Sequence, residues 1–354
     1  MYEDLKLKPV AIGSLPHDNV TNAMNVVKRD FDEIPFFPQL SNVGKYEDMI
    51  VQFLEGFPAL SKEKDFVLDS ESDEFYIALE EFFSDYEEIL SDVNSDKLDK
   101  YEISKDFSST FSEFIKIISE TKPGYAKGQI VGPFTLSASL TDMNGQNLIF
   151  DETLRDIITK LLSLKVLWQI KQIKCANSTT IPIIFMDEPT LSQLGTSAYI
   201  TVSEDDVISM LSEICTLIKN NGGICAMHCC GKCDWSIPIK SGVDIINLDG
   251  FSFGEHISLY SDEVNNFLQN GGKIAWGIVP TLAGDVLENI TIEDLAEKFE
   301  ICVKYLTNKG IDEKLVIDNS LITSSCGAGS LTENLSEKAM DMVKGLSVLL
   351  RERY

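Results

Sequence analysis

Short apolar runs rich in β-branched residues alternate along the chain with longer stretches whose apolar residues recur every three or four positions. The short runs are typical of buried strands, and the longer stretches are typical of amphipathic helices. Eight strands are predicted: 9–14, 36–40, 127–134, 181–189, 223–231, 243–250, 273–281 and 315–327. Strands that alternate with helices pair in parallel, because each helix returns the chain to the starting edge of the sheet.

The predicted helices between these strands include 151–176, 204–220, 291–308 and 332–350. The second of them follows Ser203-x-x-Asp206, which resembles a capping box. Eight parallel strands with eight crossovers predict a single (β/α)8 barrel of the TIM type, whose site lies at the carboxyl ends of the strands. A doubly wound open sheet is the alternative. It calls for a glycine-rich phosphate turn, and neither G-x-G-x-x-G nor a P-loop occurs.

The segment 46–122 interrupts the alternation after the second predicted strand. Its residues 62–105 are dense in Asp and Glu. They also carry aromatic residues at helical spacings: Phe75, Tyr76, Phe82, Phe83 and Tyr86. This pattern favours a solvated helical excursion with one buried face over a binding surface. We predict one domain over residues 1–354, with 46–122 as a mostly helical acidic insertion.

Composition limits the partners and the compartment. Of the 354 residues 44% are hydrophobic, and no apolar run approaches the roughly 18 residues of a membrane span. The amino-terminal residues lack the charged and then apolar build of a signal peptide, so we expect a cytoplasmic protein whose eight cysteines are thiols or ligands. A net charge of −26 repels nucleic acid and anionic membranes, so neither is expected as a partner.

Polar and reactive side chains stand at the carboxyl ends of predicted strands: Ser14, His17, Asp187, Glu188, His228, Cys230, Asp249 and Cys326. Residues i and i+2 of a strand point to the same face, so His228 and Cys230 can converge on one ion while Cys229 faces the helix layer. Cys326 is the best-placed third ligand, because the glycines of SSCGAGS let the backbone turn closely around a site. One histidine and two thiolates would leave a tetrahedral zinc ion one position for substrate.

The cluster CAMHCCGKCDW has two other interpretations. Cys230-x-x-Cys233 has the spacing of a redox pair or of half a zinc knuckle. A knuckle requires a second C-x-x-C or a histidine pair, which the chain lacks, and a thioredoxin-like pair opens a helix in a much smaller fold. Cys175, Cys215 and Cys302 lie on helical patterns and are expected in the core.

Seven segments occur in the order found in one enzyme family: AIGSLPH, GQIVGPFTL, MDEP, MHCCG, DIINLD, WGIVPT and SSCGAGS. Together they resemble the catalytic barrel of cobalamin-independent methionine synthase and its relatives, the zinc-dependent corrinoid methyltransferases of the uroporphyrinogen decarboxylase-like superfamily. The resemblance covers nearly the whole chain apart from the acidic insertion. Its most specific part is the combination of H-x-C with the late C-G pair.

The resemblance implies a metal-binding role for four residues. His228, Cys230 and Cys326 match the zinc ligands of the family. Asp249 stands at the end of DIINLD, where methionine synthases carry a glutamate ligand that is one methylene longer. It is therefore the predicted fourth metal-binding residue.

The resemblance also implies where the substrate binds. Ser14 and Asp187 match positions that hold the amino-acid part of homocysteine, so catalytic and substrate-binding roles are expected for both. Gly13 and Glu188, their neighbours in the same motifs, are expected to contact the substrate as well. A carboxylate can pair with a substrate ammonium, and a hydroxyl or a backbone N–H can hold a substrate carboxylate.

A methyl transfer to a small thiol follows from the resemblance, with homocysteine as the preferred acceptor and coenzyme M as the nearest alternative. Methionine synthases carry a second, amino-terminal barrel that this sequence lacks. They also carry a proton-donating histidine after the seventh strand, where this chain has AWGIVPTLAGD. Transfer from methylcobalamin expels cob(I)alamin and needs no proton. We therefore expect Zn²⁺ as the metal, and methylcobalamin or a corrinoid protein as the donor.

Two further functions stay open. A porphyrinogen-decarboxylase-like lyase would need a basic cleft for substrate carboxylates, and all four arginines avoid the predicted strand ends: Arg29, Arg155, Arg351 and Arg353. A non-catalytic metal- or corrinoid-binding component would have its zinc closed by a fourth ligand, Asp249 or Cys233.

Overall fold

The computed structural model describes residues 3–60 and 66–354, and its centre is a six-stranded parallel sheet. The strands follow one another in chain order: β1 Tyr125–Val131, β2 Ile181–Asp187, β3 Ile224–Cys229, β4 Ile245–Leu248, β5 Lys273–Val279 and β6 Ser320–Ser324. Each strand pairs with the next one along the chain, so every crossover moves one position in the same direction. A twisted sheet built in this way curls into a half-barrel. The predicted α/β class is confirmed.

Thirteen α-helices occur in the described residues. They are α1 Val20–Asp30, α2 Asp73–Ser91, α3 Phe111–Thr121, α4 Pro133–Ser139, α5 Glu152–Ala176, α6 Glu204–Asn220, α7 Ser236–Lys240, α8 Gly250–Phe253, α9 Ser261–Gln269, α10 Gly284–Asn289, α11 Ile292–Thr307, α12 Glu313–Asp318 and α13 Glu333–Arg353. Short 3₁₀ helices of three to seven residues occur at Glu3–Leu5, Val51–Phe53, Asp96–Tyr101, Leu148–Phe150, Pro189–Gln193, Ser197–Tyr199 and Gly254–Tyr260. None of the helices in the described ranges combines the length and the apolar character that a membrane crossing requires.

The long helices begin and end close to where the sequence predicts them. The predicted helix 204–220 is α6, and it opens with a complete capping box formed by Ser203 and Asp206. The eighth predicted strand starts too early. The side chain of Asp312 caps Leu315 N–H and starts α12, so the strand begins only at Ser320.

The prediction of a closed eight-stranded barrel is wrong, because the described chain forms six strands. The segments 9–14 and 36–40, predicted as the first two strands, are extended chain held by isolated parallel bridges. These bridges join Pro9 to Ile322 of β6, Ser14 to Gln39, and Phe36 to Lys127 of β1. Proline has no N–H for a ladder; Pro9 begins the first segment, Pro35 directly precedes the second and Pro38 lies inside it. The half-barrel is therefore spanned on its open side by chain that does not form a continuous ladder.

Two polar side chains of β1 fasten these extended segments to the sheet. The ammonium of Lys127 donates to the carbonyl of Ile12 and to Oε1 of Gln129, whose Nε2 donates to the carbonyl of Phe37. Lys127 is fully buried, and burial lowers its pKa to about 8. Gly13 leaves the space that Gln129 fills, because a Cβ at Gly13 would lie 2.4 Å from Oε1 of Gln129. Side-chain hydrogen bonds thus replace part of the missing backbone ladder.

The strands alternate between two hydrophobic layers. On β3, Ile224 and Ala226 face a smaller inner cluster, whereas Cys225, Met227 and Cys229 face the larger cluster that the helices cover. The inner cluster is completed by apolar residues of the other strands and of the chain before β1: Leu5, Val10, Ile34, Tyr125, Ile183, Phe185, Ile245, Ala275 and Leu321. Polar residues follow this layer at the carboxyl ends of the strands, so the inner core forms the floor of a polar site.

The predicted insertion 46–122 contains the helices α2 and α3 and two 3₁₀ helices, and its residues 61–65 lie outside the described part. On α2 the side chains of Phe75, Phe82 and Tyr86 are buried in the larger cluster, so the predicted buried face is confirmed there. Tyr76 is exposed, which the aromatic spacing did not predict. The helix α3 packs on the sheet helices through Phe111, whose ring stacks on Trp168 of α5 at 4.6 Å.

Candidate metal centre

One histidine and two cysteines converge at the carboxyl ends of β3 and β6. Donor atoms of His228, Cys230 and Cys326 all lie within 4.8 Å of one another. His228 and Cys230 share the inner face of β3, as their i and i+2 spacing predicts, and Cys229 is buried on the opposite face. Cys326 arrives from the loop after β6, so the curl of the sheet assembles the group.

The hydrogen bonds around His228 determine which ring nitrogen is free. Asn247 lies opposite His228 in the register of β3 and β4, and its Nδ2 donates to the carbonyl of Ala275 at 2.7 Å. Oδ1 of Asn247 therefore faces His228 and accepts the Nδ1–H, also at 2.7 Å. In the neutral ring the lone pair lies on Nε2, which is buried and has no hydrogen-bond partner. A histidine oriented in this way is typical of metal sites.

The surroundings of Cys230 favour the thiolate form of its side chain. The hydrogen bond from Cys326 outweighs burial and, with the adjacent His228, lowers the pKa of Cys230 well below its usual range. The same hydrogen bond, together with burial, raises the pKa of Cys326. Burial lowers the pKa of His228, but the interaction with the neighbouring Cys230 and the charge of Asp187 reverse that effect and raise the pKa overall. Thiolate and neutral imidazole are the forms in which these residues bind metal ions.

The backbone of Cys326 is clamped by the end of β5. The hydroxyl of Thr281 accepts the N–H of Cys326 at 3.1 Å and donates to its carbonyl at 2.9 Å. Ser324 donates a second hydrogen bond to the same carbonyl at 2.8 Å. A Cβ at Gly327 would lie 2.1 Å from Oγ of Ser14, so only glycine permits this close approach. The tight turn expected after Cys326 is present.

Asp249, the predicted fourth metal-binding residue, lies outside the group of three converging donors in the described chain. One of its oxygens caps α8 by accepting Ser252 N–H at 2.8 Å. Its Oδ2 is buried without a hydrogen-bond partner, and burial raises the pKa of the carboxyl. Asp249 therefore keeps one oxygen free for a ligand while the other starts a helix.

A cavity of about 320 Å³ opens above the three donors. It is lined by the centre itself, by Ser14 and Asp187, and by Ile12, Gln39, Ser41, Glu47, Asp48, Met49, Pro189, Leu282, Gly327, Gly329 and Ser330. Oδ1 of Asp187 is buried without a partner, and burial raises the pKa of this carboxyl against the opposing charges of Lys127 and His228. Ser14 accepts Gly329 N–H at 3.3 Å. The two predicted substrate-binding residues therefore share one cavity with the centre.

Two other residues that were predicted to contact the substrate, Glu188 and Gly13, lie outside the lining of the cavity in the described structure. Glu188 caps α4: its carboxylate accepts Phe134 N–H at 2.9 Å and the N–H and hydroxyl of Thr135 at 2.8 and 2.6 Å. Burial nevertheless raises the pKa of Glu188 to about 7. Gly13 makes room for Gln129. Neither Glu188 nor Gly13 belongs to the described lining of the cavity.

Part of the cavity wall was not predicted from the sequence. The run from Ser41 to Met49 directly follows the second extended segment, at the same carboxyl edge as the other site residues. Glu47 accepts Ser109 N–H at 2.9 Å, and Asp48 accepts the N–H groups of Ile50 and Val51. The only signal in the sequence that could have identified these wall residues is their position. Polar residues that follow a segment parallel to the strands lie at the carboxyl edge of the sheet, where the site is.

The remaining histidines and Cys233 do not line the cavity in the described structure. Nε2 of His17 is buried 3.5 Å from the carboxylate of Glu337. Nε2–H of His256 donates to the carbonyl of Cys233 at 3.1 Å. The thiol of Cys233 hydrogen-bonds to Cys229 on the helix side of β3, so the C-x-x-C spacing does not bring Cys233 to the centre.

Neither the models of known protein families nor the curated proteins include a match to this chain.

Proposed function

We propose that the chain is a zinc-dependent methyltransferase that methylates a small thiol, with homocysteine as the preferred acceptor. The observation that carries this proposal is the convergence of His228, Cys230 and Cys326 within 4.8 Å at the floor of the cavity. Imidazole and thiolates are a donor set that suits zinc, and three protein donors leave a position for substrate. We place the reaction in the cytoplasm, where thiols stay reduced.

The unpartnered Nε2 of His228 and the thiolate of Cys230 support the fit of a zinc ion to this set. A bound zinc ion would lower the pKa of an acceptor thiol, so that the thiol is a thiolate at neutral pH. Asn247 and Thr281 serve as positioning residues, because one orients the imidazole and the other clamps the backbone of Cys326.

Charge in the cavity favours an acceptor that carries an ammonium group. The lining contains the carboxylates of Glu47, Asp48 and Asp187, and no Lys or Arg occurs among the described lining residues. Asp187 presents an unpaired oxygen that can accept from an ammonium, and the hydroxyl of Ser14 can hold a carboxylate. Coenzyme M has a sulfonate and no ammonium, so it would meet like charges here. The same acidity disfavours a porphyrinogen with several carboxylates.

The methyl donor in this proposal is methylcobalamin or a corrinoid protein. Among the residues that the structure describes, His228 is the only histidine that lines the cavity, and it belongs to the centre. A methylated folate needs a proton for its amine leaving group, whereas a corrinoid leaves as cob(I)alamin without one. The absence of a second imidazole from the described lining supports the corrinoid.

Zinc content in purified variants tests the centre. Wild type is expected to hold close to one zinc per chain, and Cys326→Ser is expected to lose most of it. Cys233→Ser is the matched control, because Cys233 is a buried cysteine of the same cluster whose thiol faces away from the centre. Zinc retained in a folded Cys326→Ser variant would refute the site.

Methyl transfer from methylcobalamin tests the reaction. Cob(I)alamin formation is followed with homocysteine and with coenzyme M, and homocysteine is expected to react at least about tenfold faster. Asp187→Asn removes the negative charge that is proposed to select a substrate ammonium. Each tenfold loss of selectivity between the two thiols corresponds to about 1.4 kcal/mol. The variant is expected to narrow the difference between the two thiols. A zinc-loaded protein that methylates neither thiol would instead be a non-catalytic metal-binding component.

A further inference from the structure

Two cysteines outside the metal centre lie unusually close together. Sγ of Cys215 on α6 and Sγ of Cys225 on β3 are 2.7 Å apart. Carbon atoms that are not bonded to each other prefer separations of about 3.5 to 4.0 Å, and sulfur atoms are larger than carbon atoms. Both side chains are almost fully buried in the larger hydrophobic cluster, with 2% and 0% exposure. The contact therefore lies well inside the distance that two separate thiols prefer.

We propose that Cys215 and Cys225 form a disulfide that joins α6 to β3 when the chain folds in the presence of a low-molecular-weight disulfide such as oxidised glutathione. The thiolate of one cysteine attacks the glutathione disulfide and releases one glutathione thiolate. The thiolate of the second cysteine then attacks the mixed disulfide and releases the other. Two electrons pass from the protein to oxidised glutathione, which becomes two reduced glutathione molecules. This inference does not depend on the proposed methyl transfer.

The surroundings of the pair hold its two backbones in place. Asp244 accepts Cys225 N–H at 2.9 Å and forms an ion pair with Lys219, near the end of α6, at 3.0 Å. A disulfide has an S–S length of about 2.05 Å, so the bond requires the sulfurs to move together by less than about 1 Å. The chain segment that carries Cys215 and the one that carries Cys225 are already fastened at this spacing.

The timing of the reaction follows from burial. Burial raises the pKa of Cys225, and the thiolate is the reactive form, so the folded pair reacts slowly with any oxidant. During folding both thiols are exposed until α6 packs on β3. We therefore expect the bond in chains folded with oxidised glutathione, and little of it in chains that fold reduced and are oxidised afterwards.

The other cysteines have different environments. Cys175 is exposed, and the thiol of Cys302 donates to the carbonyl of Gly250 at 3.2 Å. Cys225 faces the helix layer, opposite to His228 on the same strand. The bond is therefore expected to leave the zinc content of the centre unchanged.

Peptide mapping of the full chain tests the pairing. The Cys175→Ser variant is refolded with zinc and with oxidised glutathione, its free thiols are alkylated, and it is digested with trypsin without reduction. Cys215 is then the one cysteine in the peptide 175–219, and Cys225 lies in the peptide 220–232. We expect these two peptides to be cross-linked, with fragment ions that place the bond at Cys225 and not at Cys229 or Cys230.

Stability gives a second readout. The bond closes a loop of about 11 residues, which is expected to raise Tm by about 3 °C relative to the reduced protein. Cys302→Ala is the matched buried control and should keep both the cross-link and the Tm difference, whereas Cys225→Ala should lose both. Alkylation of both Cys215 and Cys225 after oxidative refolding, or a bond from Cys215 to another cysteine, would overturn the proposal. If Cys225→Ala does not fold, the peptide map of the Cys175→Ser chain still shows whether Cys215 and Cys225 are cross-linked.

Discussion

Replacing Asn247 with leucine tests whether the orientation of His228 controls metal binding. Leucine keeps a side chain branched at the same carbon but removes both hydrogen-bonding groups of the amide. Nδ1–H of His228 then loses its acceptor at 2.7 Å, and the carbonyl of Ala275 loses a donor at the same distance. The imidazole proton is free to move to Nε2, the nitrogen whose lone pair is needed for a metal ion.

The magnitude follows from the geometry of that hydrogen bond. Loss of an outer partner of a metal-ligating histidine costs about 10- to 100-fold in metal affinity. At 2.7 Å the bond is at the short end of the N–H···O range, and His228 and Asn247 are both buried. We therefore expect the upper part of that range for Asn247→Leu, about 30- to 100-fold, which corresponds to about 2.0 to 2.7 kcal/mol of binding free energy.

The assay is a competition titration between the protein and a chromophoric chelator for zinc at pH 7. Circular dichroism in parallel shows whether the variant is folded. Asn247→Asp is the matched control, because a carboxylate still accepts the Nδ1–H of His228, and we expect it to keep zinc affinity within several-fold of wild type. A folded Asn247→Leu protein that binds zinc as tightly as wild type would show that the Asn247 hydrogen bond does not prepare the ligand.

Two further predictions concern the walls of the site. Lys127→Met leaves the Ile12 carbonyl and Oε1 of Gln129 without their donor, so the free energy of unfolding in urea at pH 7 should fall by about 2 to 4 kcal/mol. In the folded chain the pKa of Lys127 is lowered to about 8, so the unfolded chain binds more protons than the folded chain between pH 8 and about 10.5. The free energy of unfolding of the wild type should therefore rise over this pH range. The Lys127→Met variant should lack this contribution. Gly327→Ala places a Cβ 2.1 Å from Oγ of Ser14 and should weaken zinc binding by displacing the loop of the third ligand, as measured by the same chelator titration. Adding Ser14→Gly should restore zinc binding, and failure of that rescue would contradict the steric explanation.

The strands that the sequence predicts well are those whose composition alone requires burial. Ile181–Asp187 is a nearly continuous apolar run with the length of a strand, which is typical of a parallel strand covered on both faces. The segments 9–14 and 36–40 have a similar composition. Their prolines prevent a continuous ladder because the neighbouring strands would need the N–H groups that proline lacks. Which N–H groups are needed depends on how the sheet is assembled, and the local sequence does not show this.

Alternation along a strand explains which of the predicted site residues the structure brings together. His228 and Cys230 are two positions apart and share a face, so one local rule identifies both. The same rule places the adjacent residues Asp187 and Glu188 on opposite faces. It therefore excludes a shared role in the cavity, although the MDEP motif suggested one. In the structure Asp187 reaches the cavity and Glu188 caps α4.

The residues that orient the ligands carry no recognisable pattern in the sequence. Asn247 is one polar residue in the short strand β4, and its role arises from a register that sets it opposite His228. Thr281 acts on Cys326 from the end of a different strand. Both contacts join residues that are distant in the chain, so spacing rules within one element cannot find them.

The two sides of the cavity are held by different kinds of interaction. His228 belongs to β3, which pairs with a strand on each side, and Cys230 directly follows that strand. Ser14, on the opposite side, lies on a segment joined to its neighbours by single bridges and by the Lys127 side chain. Continuous ladders resist displacement more than isolated bridges, because many hydrogen bonds must open together. In the proposed methyltransferase, the metal donors would thus lie on the more rigid side of the cavity and the acceptor thiol on the more adjustable side, which would let the acceptor enter and leave beside a fixed ion.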